Sequence, residues 1–241
     1  MSIHNLIIVD PEKIKLDDVF FSDKNKAILK QVIKEHQYIE ELTAYDLPVD
    51  NKILLHGHSG CGKTTTAKAI AHTLNKNIVI LNLSTLISSR LGETASNLKL
   101  VFDKAIKEKA VLFLDEFDQI GKARANDDKD SGEMRRLVNT LIQQLDYFPD
   151  YCLLICATNF YDLIDPALLR RFQLKLQYEL PAATILDEYY DKALSRFPDH
   201  LRNIDRKYNI SYAEAKDYIN TEMKARIIAE LERKHTLATA N

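Results

Sequence analysis

Eight residues, Gly57 to Thr64, read GHSGCGKT and contain three of the chain's six glycines. Average usage would place about 17 glycines in a chain of 241 residues, so a cluster in this glycine-poor sequence asks for a chemical reason. The spacing is GxxxxGK followed by Thr, the pattern of a loop that cradles phosphate. Glycines let successive backbone N–H groups turn inward around phosphate oxygens, and a helix starting near Lys63 adds its positive dipole end. In that pattern Ser59, Gly60, Cys61, Gly62, Lys63, Thr64 and Thr65 line an ATP site. Lys63 reaches the β- and γ-phosphates and the Thr64 hydroxyl ligates Mg²⁺. His58, Ser59 and Cys61 stand where backbone does the work, so their side chains are tolerated rather than required.

A second candidate is VLFLDEFD. Four apolar residues run into Asp115 and Glu116, which places both carboxylates at the carboxyl end of a strand, where open α/β sheets bind ligands. Asp115 is then a Mg²⁺-holding group acting through water, and Glu116 the group that polarises an attacking water. Acidic pairs at strand ends also serve as turn or cap residues; the phosphate loop in the same chain favours the catalytic reading.

These groups need a scaffold that brings distant segments together. KILLH (Lys52 to His56), NIVILNL (Asn77 to Leu83), AVLFLDE (Ala110 to Glu116), YCLLICAT (Tyr151 to Thr158) and FQLKLQYEL (Phe172 to Leu180) read as strands. The middle three are nearly unbroken apolar runs, as strands covered on both faces of a parallel sheet are. Helical spacing marks Lys63 to Leu74, Thr94 to Lys109 and Gly132 to Tyr147. Strands alternating with helices predict an α/β, doubly wound P-loop domain with a five-stranded parallel sheet over residues 1–180. Beyond Pro181 only helical spacing remains, and Ser211 with Glu214 has the form of a capping box. That stretch predicts a small helical domain over residues 181–241.

Composition disfavours other classes. With 33 basic against 35 acidic residues and a formal charge of −2, the chain has no electrostatic footprint for nucleic acid or an anionic membrane. No stretch approaches the roughly 20 apolar residues of a membrane span, and the amino terminus does not have the form of a signal peptide. Three cysteines argue against a disulfide framework, so the expected compartment is the cytoplasm. Cys152 and Cys156 face one side of a strand and are expected in the core, and His56 and His58 have no partners at metal-ligand spacing.

The ordered set GHSGCGKT, VLFLDEFD, ATN and DPALLRRF resembles the AAA+ ATPases, and within them the AAA group whose second region of similarity ends in Arg-Arg-Phe. The likeness covers about residues 16–180 and extends more weakly into the helical remainder, which resembles the AAA lid. It implies that Asn159 is a sensor placing the attacking water, and that Arg170 and Arg171 are fingers reaching a neighbouring subunit's nucleotide. In LDDVFF, Val19 and Phe20 match the adenine-contacting entry segment. Ala213 sits near the place of a second sensor arginine. The run NDDKD, residues 126–130, is a solvated loop or corresponds to a second central-pore loop.

The resemblance implies an oligomeric ATPase, a hexamer in its usual form, that uses ATP hydrolysis at subunit interfaces to remodel or regulate a dedicated partner protein, with changes in the angle between large domain and lid. Alternatives from other classes are a nucleotide-switched assembly or regulatory subunit of a two-component system and a monomeric P-loop kinase for a small molecule; a nucleic-acid loader is disfavoured by charge. The module is expected to fill nearly the whole chain, leaving substrate choice to a separate partner or adaptor, to loops or to the first 15 residues, with a protease among the possible partners. In ISSRLGET, Arg90-Leu91-Gly92 falls where threading motors carry an aromatic, an aliphatic and a glycine. Gly92 either makes a turn before the helix near Thr94 or belongs to a loop in which Arg90 replaces the aromatic, which suits contact with one dedicated partner better than threading of any chain.

Overall fold

The computed structural model describes residues 6–8, 12–88, 93–120 and 131–239. The chain divides into two compact units. One comprises Met1–Gly57 and Lys63–Tyr178, the other His58–Gly62 and Glu179–Asn241.

The larger unit is built on a six-stranded sheet. Its strands are β1 (Ile7–Ile8), β2 (Lys52–Gly57), β3 (Ile78–Asn82), β4 (Val111–Asp115), β5 (Leu153–Thr158) and β6 (Leu174–Tyr178), in the spatial order β1-β3-β4-β5-β2-β6. The five expected strands all form and pair in parallel. The sixth, β1, is an antiparallel edge pairing Ile7 with Leu81 and Ile8 with Ile80. Its two residues carry too little alternation to be read as a strand without that partner.

Helices α1 (Asp23–Gln37), α2 (Ile39–Ala44), α3 (Lys63–Thr73), α4 (Leu83–Ile87), α5 (Thr94–Lys107), α6 (Ser131–Asp146) and α7 (Pro166–Leu169) complete the described part of this unit. Helix α5 buries Leu98, Val101, Phe102 and Ala105 in one core with Leu112, Leu114, Leu141 and Cys156, and Ile106 packs partly buried against it. Burial leaves the Cys156 thiol well above its ordinary pKa, as suits a packing residue. Helix α4 starts in the residue after β3 because Asn82 caps it, its side-chain oxygen accepting from the backbone N–H groups of Ser84 and Thr85. Residues Arg90, Leu91 and Gly92, and the acidic run 126–130, lie outside the described residues.

The helical unit contains α8 (Ala183–Leu194) and α9 (Tyr212–Thr239), packed through Leu186, Tyr190, Leu194, Ala215, Ile219 and Met223. The capping box forms at the start of α9. Ser211 N–H and hydroxyl donate to Glu214 Oε2 at 2.7 and 2.8 Å, and Glu214 N–H donates to Ser211 Oγ at 3.3 Å. Ser211→Ala should therefore lower the unfolding free energy by about 1 kcal/mol, measured as a shifted urea midpoint at unchanged slope.

Candidate functional site

Parallel order places the carboxyl ends of β2, β4 and β5 on one edge of the sheet, with β5 between the other two. Each delivers part of the site. β2 leads into the glycine loop, β4 ends on Asp115, and β5 ends on Thr158, just before Asn159.

Lys63 opens α3 and is buried, at 8% exposure for the residue. Its ammonium donates to Gly57 O at 2.8 Å and to Asn159 Oδ1 at 2.8 Å. The register His56 opposite Thr158 brings those two acceptors together. Next along α3, the Thr64 hydroxyl donates to Asp115 Oδ2 at 3.3 Å. Burial pushes the Asp115 carboxyl above its ordinary range, opposed by the bonds from Glu116 N–H and Thr64 and by the Lys63 charge. Lys63, Thr64, Asp115 and Asn159 thus form one constellation from segments up to 96 residues apart.

Glu116 is half-buried and has a φ of +55°. A non-glycine residue in the left-handed region costs of order 1–3 kcal/mol, and here the cost is offset by its N–H bond to Asp115 Oδ1 at 2.9 Å. The strained turn sends the chain off the strand end immediately after the half-buried Asp115.

The loop depends on glycine for space as well as conformation. Gly57 has φ +124°, and a Cβ there would lie 2.0 Å from Tyr178 O on the adjacent β6. Gly60 has φ +72°, and a Cβ would lie 2.6 Å from Ser211 Oγ. Within the helical unit Ala213 N–H donates to Gly60 O at 3.1 Å. Ser59 is exposed, Gly60, Gly62 and Thr65 are half-buried, and Cys61 is buried. Val19 and Phe20 are half-buried and follow a single turn, Leu16–Asp18, that packs on α3.

The two arginines follow α7, whose first turn is fixed by Pro166 and by Asp165 accepting from Ala167 N–H. Arg170 is exposed. Arg171 donates from Nε and Nη2 to the two Asp146 oxygens at 2.8 and 3.0 Å and from Nη1 to Ala167 O at 2.5 Å.

Two supporting contacts have little signature in the sequence. Asp118, 3% exposed, accepts from the Thr158 hydroxyl at 2.9 Å, and that hydroxyl accepts from Phe160 N–H at 3.0 Å. The relay fixes the turn that carries Asn159; the second aspartate of LDEFD and the threonine of ATN are its only sequence signals. His56 packs its ring on Tyr161 at 4.4 Å between centroids, and burial first, then Lys63, lower its pKa.

Residues 53–180 match the model of the ATPase family associated with various cellular activities (AAA). The chain belongs to the AAA family of ATPases. As an AAA ATPase it binds ATP, and the small-molecule kinase reading is set aside. It is 34% identical over 223 residues to an uncharacterised AAA family ATPase, y4kL, of Sinorhizobium fredii, covering 91% of this chain and 67% of that protein. It is 34% identical over 190 residues to the ATP-dependent zinc metalloprotease FtsH of Lachnoclostridium phytofermentans, covering 75% and 33%. With the proteasome-activating nucleotidase of Thermococcus onnurineus it shares 33% over 186 residues, covering 72% and 46%. The chain thus spans about two thirds of the first relative and less than half of the other two. No helix among the described residues of this AAA ATPase is long and apolar enough to cross a membrane.

Gly57→Ala should destabilise the fold by at least about 2 kcal/mol, from the unfavourable φ and the displaced β6 carbonyl. Thermal unfolding with and without ATP checks this, and the variant should also lose the stabilisation that ATP gives the parent.

Proposed function

We propose that this chain is the ATPase subunit of a homo-oligomer, hexameric as the family resemblance suggests. Neighbouring subunits complete each other's sites, and hydrolysis remodels or regulates a dedicated protein partner. The observation that carries the reading is the buried Lys63 ammonium held by Gly57 O and Asn159 Oδ1 beside the Thr64–Asp115 pair. Residues 1–180 act as the nucleotide-binding domain and residues 181–241 as the lid.

When ATP enters, Lys63 exchanges its present acceptors for β- and γ-phosphate oxygens. Asn159 then loses its lysine partner and becomes free to orient water near the γ-phosphate. Backbone N–H groups of residues 59–65 surround the phosphates, and Val19 and Phe20 contact the adenine. Thr64 and Asp115 offer a hydroxyl and a half-buried carboxylate side by side, hard oxygen donors that fit Mg²⁺, an ion that keeps several waters and takes few protein ligands. Bound Mg²⁺ supplies charge neutralisation on the phosphate oxygens. Glu116 accepts a proton from the attacking water, and its fixed backbone turn holds it at the strand end. Arg170 and Arg171, on the loop after α7, serve the nucleotide of the adjacent subunit.

A protein as the object of the work is supported by the names of two relatives, a zinc metalloprotease and a proteasome-activating nucleotidase; a protease is accordingly one class of partner. Arg90, Leu91 and Gly92 are the residues proposed to touch that partner. Neither a membrane nor nucleic acid is invoked, in keeping with the balanced charge. Three buried free thiols are in keeping with a reducing compartment, the cytoplasm.

Glu116→Gln should bind ATP with parent affinity and shift the population toward oligomers, while hydrolysis falls roughly 10²- to 10⁴-fold; parent turnover in this variant would overturn the assignment. Specific activity of the parent should rise with protein concentration and track oligomer mass measured in the same samples.

A further inference from the structure

The Asn159 amide oxygen is held by Lys63 Nζ at 2.8 Å, the bond that an incoming phosphate takes away in the reading above. The turn that carries Asn159 must then keep its aim through ties that do not pass through the lysine. Two such ties start from the ends of β2 and β5. His56 and Thr158 are register partners there and continue, on the same face of the sheet, the core pair Leu54 and Cys156. Thr158 accepts from Phe160 N–H at 3.0 Å through a hydroxyl that is itself bonded to Asp118. His56 takes the next residue: its ring lies 4.4 Å from that of Tyr161, centroid to centroid, with 40° between the planes.

Tyr161 opens a single turn, Tyr161–Leu163, closed by Leu163 N–H to Phe160 O at 3.2 Å and Ile164 N–H to Tyr161 O at 3.1 Å. Fixing its first ring therefore fixes the turn as one piece immediately behind Asn159. The contact is one of ring packing, since neither the His56 nitrogens nor the Tyr161 hydroxyl makes a hydrogen bond among the described residues. Burial first, then the Lys63 charge, lower the His56 pKa against the opposing pull of Asp162, so the ring that meets Tyr161 at neutral pH is uncharged. His56 also precedes Gly57, whose carbonyl accepts from Lys63. The strand end that presents an acceptor to the lysine thus also anchors the turn behind the asparagine.

We infer that His56 and Tyr161 are positioning residues for hydrolysis: their ring contact ties the turn behind Asn159 to the end of β2 and holds the asparagine toward the γ-phosphate once Lys63 has left it. This rests on the proposed role of Asn159 in orienting the attacking water.

The test uses the full chain, with kcat and KM for ATP measured at saturating oligomer concentration and well below the unfolding midpoint of each variant. His56→Ala and Tyr161→Ala should each lower kcat roughly 10- to 10²-fold, the scale of a misplaced group, with KM close to the parent's. Tyr161→Ala, made on a turn with exposed neighbours, carries the test should the strand variant fail to fold. The double variant should be no worse than the more severe single one, because both remove one contact. His56→Phe and Tyr161→Phe, which keep the rings, should retain most of the parent kcat. Asn159→Ala should be the most severe variant, and His56→Ala added to it should cause no further loss.

The positioning role is overturned if the alanine variants keep the parent kcat, if their loss appears in KM alone, or if His56→Phe loses as much as His56→Ala. In those cases a severe Asn159→Ala leaves the reading of the asparagine standing. If Asn159→Ala turns over ATP like the parent, that reading falls, and the positioning role falls with it.

Discussion

The ammonium of a lysine residue only 8% exposed must have acceptors, because an unmatched buried charge costs several kcal/mol. Much of the site is arranged around that requirement at Lys63. The carbonyl of Gly57 is available because β2 ends there, and the Asn159 amide oxygen because β5 is the parallel neighbour of β2 and the chain continues one residue beyond their last pair. A different strand order would separate the two acceptors. The lysine and the asparagine thus hold each other in place, and the cation is oriented by its two acceptors.

The same edge of the sheet concentrates several costs. Asp115 is a carboxylate pushed toward its neutral form by burial, Glu116 occupies a backbone region unfavourable to its side chain, and Gly57 tolerates no added atom against β6. Such features persist only where surrounding structure over-determines them. Here the surroundings are the fully buried middles of β4 and β5 and the Asp118–Thr158 relay beneath the Asn159 turn. The core supplies rigidity, and the strand ends spend it on geometry.

What the sequence makes legible is whatever is encoded over a few neighbouring residues. The five parallel strands, α3, α5, α6 and the capping box at Ser211 are all readable because apolar period, cap chemistry and glycine spacing are local. Helix α4 is not, since Asn82 ends a strand and caps a helix with no turn between them. Nor is the edge strand Ile7–Ile8, whose existence depends on β3. Helix α1 buries Leu29, Val32, Ile33 and His36 at helical spacing within a mostly polar segment, a narrow stripe that does not stand out. Motif spacing and family resemblance point to the candidate site's parts, but their wiring is hidden: Lys63 and Asn159 are 96 residues apart, and Arg171 and Asp146 are 25 apart. No local pattern distinguishes two adjacent arginines whose difference lies in a distant aspartate.

The middle of the glycine loop, His58–Gly62, belongs to the same compact unit as Glu179–Asn241. The helical unit is therefore discontinuous along the chain, and a fragment beginning at Glu179 lacks part of it. During synthesis these five residues emerge more than a hundred residues before the helices they join, so their native contacts close a long loop. In a ribosome-bound chain that has its β-sheet strands but not yet α9, Gly60 still lacks both the Ala213 N–H that donates to its carbonyl and the Ser211 side chain beside it.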